Sequence, residues 1–545
     1  MTSSNLAKSN VAESVIKTMI ANGIDTLYCL PGVQNDDFFD ALHRVGGAIK
    51  PINARHEQAT AYMALGAALA TGKPQAYCVV PGPGFLNTTT ALATAQSLTS
   101  PVLAISGQIF EARIGKGLGF LHEVPNQIGI MRTLTKWATH IDGPDDAGPK
   151  AKEAFRQLLS GAPGPVGIEA GWDMWKRSSE VALDLEPVKR ETPAVDEEVI
   201  EAAAKLLAGS KRPLISVGGG AQGASDEVKR LAEMLQAPVM SFRTGAGVLD
   251  NRHYLSQRVT GGYRLWKDVD VVLAVGTRLH QQFDWGTDED MKIIHLDLDP
   301  TRPGRIRKPD VKIIADAAEA LRVLLDKLPK HLGKRASRKD EMMALNADVA
   351  KELADLVPQK QWIDALRAEL PEDGIFVEEL TQVCYVSRVM FPVYQPRTYI
   401  SSGYQGTLGW GYNVALGAKA AMPHRKVLSV SGDGGFMFGV QELATAAKHN
   451  IGVVAVVFTD NAYGNVKRLQ QLNYEGRTIA SDLTNPDFVK LGESFGVRST
   501  RAKTPEALRK ELREAFKSDA PALIEVPVGP FPDPWHLFFR AKNRG

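Results

Sequence analysis

The sequence KVLSVSGDGGF, at residues 426–436, joins an apolar run to an acidic, glycine-rich turn. A second apolar run, VVAVVF at residues 453–458, leads into the turn TDNAYG at residues 459–464. Short apolar runs that end in such turns predict buried strands of a parallel sheet, in which ligands bind outside the carboxyl ends of the strands. We therefore expect both turns at the same edge of one sheet, and a helix over residues 437–450 after the first turn.

The residues of these two turns suit a phosphate group held together with a magnesium ion. Glycine lets backbone N–H groups come close to a phosphate at the N-terminus of a helix. Asp433 and Asn461, 28 residues apart, add the hard oxygen ligands that Mg²⁺ prefers. The alternative is that both are ordinary strand–helix turns. This interpretation is favoured for the Gly-Asp-Gly turn taken alone and is disfavoured for the two turns together.

Composition limits the class of protein. A chain of 545 residues predicts about three or four domains, and 44% hydrophobic with 23% charged residues is ordinary for a globular protein. The net charge of +2 disfavours a nucleic-acid partner, and the absence of long apolar runs disfavours a membrane span. Cys29, Cys78 and Cys384 lie too far apart to predict a disulfide framework or a metal site, which fits a cytoplasmic location. Residues 1–5 do not resemble a signal peptide.

Strand and helix patterns alternate along the chain, which predicts the α/β class with parallel sheets. We expect three doubly wound domains, at residues 1–175, 190–330 and 360–545, joined by charged connections near residues 175–195 and 328–360. The strands are expected at residues 26–30, 75–80, 101–106 and 166–169, then 214–217, 239–242, 271–275 and 293–297, and finally 374–377, 398–401, 427–430, 453–458 and 523–526.

The second domain contains a G-x-G-x-x-G motif at residues 218–223. A nicotinamide dinucleotide site would also need an acidic residue at the end of the next strand, where this chain has Arg243, Thr244 and Gly245. We therefore favour tight strand–helix packing, or a different nucleotide, over NAD(P).

Two residues outside these motifs are candidates for proton chemistry. Glu57 opens an alanine-rich helix, where it would either complement the helix dipole or bind a heterocycle nitrogen as a buried carboxylate. His122 follows a glycine-rich loop at residues 114–121 and is able to move protons near neutral pH, although a solvated loop histidine is the alternative.

Together these motifs resemble the thiamine-diphosphate-dependent 2-oxo acid decarboxylases and carboligases, the group around acetolactate synthase, over nearly the whole chain. The resemblance implies a pyrimidine-binding first domain, a central domain and a diphosphate-binding third domain. It makes Glu57 the acid that contacts the aminopyrimidine ring and Leu408, in the sequence GTLGWG, the residue that supports the bent cofactor. The residues that it assigns to the diphosphate and Mg²⁺ are Gly432, Asp433, Gly434, Gly435 and Asn461, with Tyr463 contributing its carbonyl oxygen.

The resemblance also implies an activity and an assembly. The enzyme would decarboxylate a 2-oxo acid and pass an acyl carbanion to a carbonyl acceptor; a non-ligating decarboxylase, a C–C lyase and a catalytically silent cofactor-binding paralogue are the alternatives. Val33 stands where simple decarboxylases carry an acid, which favours ligation, and His122 stands where acetolactate synthases often have glutamine. FAD stays open, because residues 259–263 replace the Gly-Met-His-Gly stretch of the flavin-binding members. Family sites are shared between subunits, so a homodimer or homotetramer is implied.

Overall fold

The computed structural model describes residues 6–545, so the expectation for residues 1–5 lies outside it. Within the described chain, three six-stranded sheets are formed entirely by parallel strand pairs, and helices connect the strands. The predicted α/β class with three parallel-sheet domains is therefore confirmed.

The first sheet has the strand order β3-β2-β4-β5-β7-β6, and β1 and β8 form a separate antiparallel pair. Helix α1 begins after Asn10, whose side chain accepts a hydrogen bond from the Glu13 N–H at 2.8 Å, as expected for an N-cap. The elements are β1 (Ala7–Asn10), α1 (Val11–Ala21), β2 (Thr26–Cys29), α2 (Asp36–Arg44), β3 (Lys50–Asn53), α3 (Glu57–Thr71), β4 (Gln75–Val79), α4 (Pro83–Ser97), β5 (Val102–Gln108), α5 (Gln127–Leu134), β6 (Trp137–Ile141), α6 (Pro144–Leu159), β7 (Val166–Gly171) and β8 (Ser178–Val181).

The central sheet has the order β11-β10-β9-β12-β13-β14. The four strands predicted here are present, and the edge strands β11 and β14 are additional. The elements are α7 (Glu197–Gly209), β9 (Pro213–Val217), α8 (Ser225–Leu235), β10 (Val239–Ser241), β11 (Ser256–Arg258), α9 (Val259–Trp266), β12 (Val271–Val275), α10 (His280–Trp285), β13 (Lys292–Asp297), β14 (Val311–Ile314), α11 (Ala317–Lys327) and, beyond the sheet, α12 (Lys339–Glu352).

The third sheet has the order β16-β15-β17-β18-β20-β19. Strands β17 and β18, which carry the two turns, are neighbours in it. The elements are α13 (Val357–Glu369), β15 (Ile375–Glu378), α14 (Gln382–Met390), β16 (Tyr399–Ile400), α15 (Gly411–Ala421), β17 (Val427–Gly432), α16 (Asp433–Phe436), α17 (Leu443–His449), β18 (Val453–Thr459), α18 (Gly464–Asn473), α19 (Phe488–Ser494), β19 (Arg498–Arg501), α20 (Pro505–Phe516) and β20 (Ala522–Pro527).

The single helix predicted over residues 437–450 is wrong. The chain forms the one-turn helix α16, leaves the helical path near Gly439, and begins α17 only at Leu443. At this break the backbone packs closely on α15, where a Cβ atom on Gly439 would lie 2.8 Å from the side chain of Asn413.

Helices α3 and α15 cross closely and join the first and third domains. A Cβ atom on Gly66 would lie 2.0 Å from the carbonyl oxygen of Val414, and one on Gly417 would lie 1.8 Å from that of Met63. Only glycine permits such an approach of two backbones. Apolar residues of both domains consequently belong to one continuous core.

The three cysteines are buried and carry free thiols. Cys29 on β2 and Cys78 on β4 stand opposite each other in the first sheet, and Cys384 lies on α14 in the third domain. Burial raises the pKa of Cys29 to about 12 and raises the pKa of the other two thiols well above the ordinary value.

The last residues of the chain, around Ala541 and Arg544, pack against the central domain. The Tyr263 hydroxyl donates to the carbonyl oxygen of Ala541 at 3.0 Å, and the Arg544 guanidinium binds Asp288 at 2.7 Å. Over residues 6–545, the structure has no helix that combines the length and the apolar character needed to cross a membrane.

Candidate functional site

Asp433 is the first residue of α16, at the carboxyl end of β17, and only 2% of its surface is exposed. Strand pairing sets Gly432 opposite Phe458, so the turns after β17 and β18 lie side by side. One carboxylate oxygen of Asp433 accepts from the Gly434 N–H at 2.8 Å, and the other accepts from the Asn461 N–H at 2.8 Å. The structure therefore brings Asp433 and Asn461 together at one sheet edge.

Asn485 is part of this cluster, although nothing in the sequence pointed to it. Its side-chain amide donates to the carboxylate of Asp433 at 2.7 Å and to the side-chain oxygen of Asn461 at 3.0 Å. It lies in a loop before α19, 24 residues after Asn461, where its spacing carries no recognisable signal. Only the folded loop shows that it orients both predicted ligands.

The chemistry of this cluster fits a hard divalent cation. Within the described chain, the Asp433 carboxylate has uncharged N–H partners, and burial together with the charge of Asp433 raises the pKa of Asp460. The Tyr463 carbonyl accepts from the Lys467 N–H at 2.9 Å and keeps a second lone pair. No group of three His, Cys, Asp or Glu side chains within residues 6–545 is arranged to hold a metal, so an ion here would need amide and carbonyl oxygens beside one carboxylate.

The glycines of this turn are constrained by neighbouring side chains. A Cβ atom on Gly434 would lie 2.7 Å from the ring of Tyr463, and one on Gly435 would lie 2.2 Å from the carboxylate of Glu379. Gly432 is less restricted, since its Cβ atom would make an ordinary contact of 3.4 Å with Thr381. At Gly434 and Gly435, a larger residue would therefore force Tyr463 or Glu379 to move.

Leu408 lies half-buried in the loop before α15. Its neighbours fix the loop: the Thr407 hydroxyl is 3.2 Å from that of Tyr62, and Gly409 adopts a left-handed conformation with φ of 76°. The Trp410 indole N–H donates to the Glu378 carbonyl at 2.9 Å. The backbone on both sides of Leu408 is thus held by the first and third domains.

Glu57 is the first residue of α3 and is half-buried. Its carboxylate accepts from the side-chain amide of Asn87 on α4 at 2.9 Å. The turn before it is held by the third domain, because the Arg55 N–H donates to the buried carboxylate of Glu442 at 3.1 Å. The burial of Glu442 raises the pKa of its carboxyl group.

His122 lies against the turn that starts α4. It has a left-handed φ of 67°, and a Cβ atom on Gly82 would lie 2.3 Å from its carbonyl oxygen. Two residues further, a Cβ atom on Gly84 would lie 3.6 Å from the carboxylate of Glu57. The His122 Nδ1 atom is buried without a hydrogen-bond partner in the described structure. The structure therefore places both candidate proton-transfer residues beside one turn.

The two groups of candidate residues form separate hydrogen-bond networks within one chain. Glu57 makes its side-chain hydrogen bond inside the first domain, whereas Asp433 makes its own inside the third. Across residues 6–545, no hydrogen bond connects Glu57 or His122 to Asp433 or Asn461.

The G-x-G-x-x-G motif of the central domain is explained by packing between its loops. A Cβ atom on Gly218 would lie 2.3 Å from the carbonyl oxygen of Gly276, and one on Gly220 would lie 2.8 Å from the Cα atom of Gly276. A crevice lies beside this contact, and Arg243, Arg278 and Arg302 are among its lining residues. The basic lining suits an anionic ligand, while the glycines do not require one.

Comparison with known proteins gives a consistent result for all three sheets. The chain matches the families described as "Thiamine pyrophosphate enzyme" N-terminal TPP binding domain over residues 9–130, central domain over residues 200–324 and C-terminal TPP binding domain over residues 381–526. A probable acetolactate synthase large subunit of Methanocaldococcus jannaschii is 32% identical, with 95% of this chain and 92% of that protein covered.

Two further relatives are similar over the same extent. The acetolactate synthase isozyme 1 large subunit of Escherichia coli is 30% identical, with 95% of this chain and 93% of that protein covered. A probable 2-ketoarginine decarboxylase of Pseudomonas aeruginosa is also 30% identical, with 95% and 94% covered.

Proposed function

This chain belongs to the thiamine-diphosphate-dependent enzymes of the acetolactate synthase-like family, and on that premise we propose that it decarboxylates a 2-oxo acid and transfers the acyl group to a carbonyl acceptor. The observation that carries this proposal is the buried Asp433 carboxylate, held at the end of β17 beside Asn461. Such a site at a sheet edge suits a diphosphate bound with Mg²⁺.

In the proposed site, Asp433, Asn461 and the carbonyl of Tyr463 would hold Mg²⁺, and the glycine turn of residues 432–435 would bind the diphosphate, with the Gly434 N–H used to hold the Asp433 carboxylate at 2.8 Å. When bound, thiamine diphosphate supplies a nucleophilic carbon and an electron sink for the bond that breaks. Leu408 would support the bound cofactor. Each of these roles would be lost by a change of side chain at Asp433, Asn461 or Leu408.

The proton chemistry belongs to Glu57 and His122 in this proposal. Asn87 orients the Glu57 carboxylate, which would hydrogen-bond the aminopyrimidine ring of the cofactor and promote proton transfer there. His122, with its free ring nitrogen beside the same turn, exchanges protons with the substrate. A catalytically silent protein is disfavoured, because diphosphate binding alone requires no acid at position 57.

A non-ligating decarboxylase is the second candidate, since one relative of equal coverage is named as a probable 2-ketoarginine decarboxylase. Val33 supports ligation instead. Val33 follows Gly32 and is 48% exposed. Because its side chain is apolar, this position offers no acid to protonate the reacting carbon. A C–C lyase uses the same residues in reverse and is distinguished only by its products.

We propose a homodimer, or a homotetramer built from two dimers, as the active assembly. Exposed apolar side chains occur in the segments that carry each group of site residues, and burying them against a second copy would complete a site shared by two chains. The N-terminal apolar patch consists of Val33, Leu86, Phe110, Leu118 and Leu121. The C-terminal apolar patch consists of Met437, Phe438, Val466, Leu469, Leu472, Tyr474 and Ile479.

For the central domain, FAD is the cofactor to be tested. The arginines of the crevice support an anionic ligand, and the packing role of Gly218 and Gly220 removes the motif itself as support. Mass spectrometry of compounds released from the purified, denatured protein tests thiamine diphosphate and FAD in one measurement.

The activity is tested with a panel of 2-oxo acids, each with and without an aldehyde or a second 2-oxo acid. Carboligation predicts CO₂ release together with a 2-hydroxyketone from an aldehyde acceptor, or a 2-hydroxy-3-oxo acid from a 2-oxo acid acceptor. Aldehyde as the only organic product would support the decarboxylase, and the absence of CO₂ release from every acid would overturn the proposal.

A further inference from the structure

Glu379 is a buried acid that the proposed reaction does not use. It follows β15 directly, and only 2% of its surface is exposed. Its neighbour Glu378 is neutralised by Arg388 at 2.9 Å, whereas the Glu379 carboxylate accepts hydrogen bonds from uncharged donors. Since burying a carboxylate without a cation is costly, those bonds must offset a large desolvation penalty.

Two of the donors lie directly after Leu408, where its loop leads into α15. The Gly409 N–H donates to one carboxylate oxygen at 2.8 Å, and the Gly411 N–H donates to the other at 3.0 Å. The carboxylate therefore fixes the backbone directly after Leu408 and the first residue of α15. A Cβ atom on Gly411 would lie 2.7 Å from Glu379, which shows how closely the loop sits on this side chain.

The same carboxylate also contacts the turn after β17. The Ser431 hydroxyl donates to it at 2.9 Å, and Gly435 leaves no room for a side chain above it. Ser431 and Gly435 stand on either side of Asp433 in the sequence. One side chain thus joins two segments that meet only through the fold.

We propose that Glu379 is a positioning residue that fixes the Leu408 loop relative to the Asp433 turn. It would thereby keep a constant distance between Leu408, which supports the cofactor, and the site for the diphosphate. This role rests on the proposed function. The geometry favours it because Glu379 binds loop backbone and turn rather than substrate space, and because its two oxygens divide between Gly409 and Gly411. A side chain of the same shape does not suffice, since an amide in place of the carboxylate offers one acceptor oxygen instead of two.

The first test uses amide hydrogen exchange of the cofactor-free protein. In Glu379→Gln, the NH₂ group must face either the Gly409 or the Gly411 N–H, so the peptide covering both should exchange roughly tenfold faster than in the unchanged protein. The control is Glu525→Gln, which alters a buried acid of the same sheet that pairs with Arg501 at 2.8 Å. Equal exchange in Glu379→Gln and the unchanged protein would overturn the proposed hold on the loop.

The second test is a double-mutant cycle on thiamine diphosphate affinity, measured by calorimetry with Mg²⁺ at about pH 8. Burial raises the pKa of Glu379 to about 7, so the native side chain is charged there. We expect Glu379→Gln to weaken binding roughly tenfold alone and less than about threefold in a Leu408→Ala background, because both changes release the same loop. Additive losses would overturn the coupling.

The outcomes separate this inference from the proposed function. If the protein without substitutions does not bind thiamine diphosphate, the proposed function and the role of Glu379 are both refuted. If that protein and Glu379→Gln bind it equally well, only the role of Glu379 is refuted. If Glu379→Gln unfolds at a much lower temperature than Glu525→Gln, the variant Ser431→Ala is used instead, because it removes the hydroxyl that donates to Glu379. Its affinity loss should then also shrink in the Leu408→Ala background, and an additive loss would contradict the proposal.

Discussion

Glu57 stands at the first position of α3, where the helix dipole stabilises a carboxylate and Asn87 orients it. In Glu57→Gln, the amide oxygen still accepts from Asn87, but the group no longer promotes proton transfer at the aminopyrimidine. We expect turnover to fall at least about 100-fold while thiamine diphosphate affinity changes less than about threefold. Calorimetry and product formation measure the two effects, with Glu153→Gln on α6 as a distant control. Unchanged turnover would remove Glu57 from the mechanism.

Asp433 supplies the one carboxylate of the proposed Mg²⁺ site. Asp433→Ala should abolish the Mg²⁺-dependent part of cofactor binding, because neither Asn461 nor a backbone carbonyl replaces a charged ligand. Asn485→Ala should cause a smaller loss, since it removes only the group that orients both side chains. Calorimetric titrations with Mg²⁺ and with a chelator test this order. Normal affinity in Asp433→Ala would place the metal elsewhere.

The sequence predicted individual residues where a motif was local. Asp433 and Asn461 each follow an apolar strand, and parallel pairing of those strands requires the two turns to meet. Glu379 and Asn485 were not predicted, because their partners lie 24 to 56 residues away in turns whose course depends on the complete fold. Their residue types are common in loops and carry no signal of their own.

Among the secondary-structure elements, the crossing of α3 and α15 is the most sensitive to small changes. Gly417→Ala would press a methyl group against the Met63 carbonyl, which lies 1.8 Å from the Cβ position. We expect a loss of about 1–3 kcal/mol of unfolding free energy, although alanine favours a helix over glycine by roughly 1 kcal/mol. Gly209→Ala at the end of α7 is the control, because its Cβ atom meets no atom within 4 Å. Equal thermal midpoints for both variants would contradict the close crossing.

Strand β6 carries a histidine whose charge affects stability. Burial lowers the pKa of His140, but Glu169 at 3.1 Å and Glu111 at 3.0 Å outweigh burial and raise the pKa overall. A raised folded-state pKa gives stability that is complete below the unfolded pKa of about 6.5 and is lost as pH rises through the folded value. His140→Gln should therefore lower the thermal midpoint more at about pH 6 than at about pH 9. A difference independent of pH would show that His140 acts only by packing.

Elements were predictable where both faces of a strand are buried. The strands that the sequence pattern missed in the three sheets are β3, β6, β11, β14 and β19, and all are edge strands. Edge strands such as β11 (sequence SQR) and β19 (sequence RSTR) contain polar residues and are short, so they lack the apolar run that marks a central strand. The break between α16 and α17 was missed because the sequence pattern of residues 437–450 does not mark where the helix is interrupted.

At the scale of the whole molecule, the proposed sharing of one site by Glu57 of one chain and Asp433 of another predicts complementation between chains. Inactive Glu57→Gln and Asp433→Ala chains, unfolded and refolded together, should form mixed dimers with one intact site each. Equal amounts should recover about a quarter of the unchanged activity, because half of the dimers are mixed and half of their sites are intact.

Each variant refolded alone serves as the control for this experiment. Recovery far below a quarter, with mixed dimers demonstrated by native mass spectrometry, would show that each site is built within one chain. Dilution should lower the recovered activity if the apolar patches of two chains form the contact.

The three-sheet architecture followed from the alternation of strand and helix patterns, which is visible along the whole chain. The predicted connection at residues 328–360 instead contains α12, a helix with one buried side chain, Met342. Its sparse apolar face explains why the sequence resembled a charged linker. The arrangement of the domains was not predictable, because the crossing of α3 with α15 depends on glycines in helices that otherwise look ordinary.

The three buried thiols are natural probes of local opening motions in the native protein. A thiol reacts with alkylating reagents as its thiolate, and burial both blocks access and disfavours that form at all three cysteines. Labelling of the native protein is consequently limited by the opening of the surrounding structure. Cys29 and Cys78 report on the first sheet, and Cys384 reports on the third domain. The labelling rates of these cysteines would thus report separately on local opening in the two domains that are expected to share the cofactor.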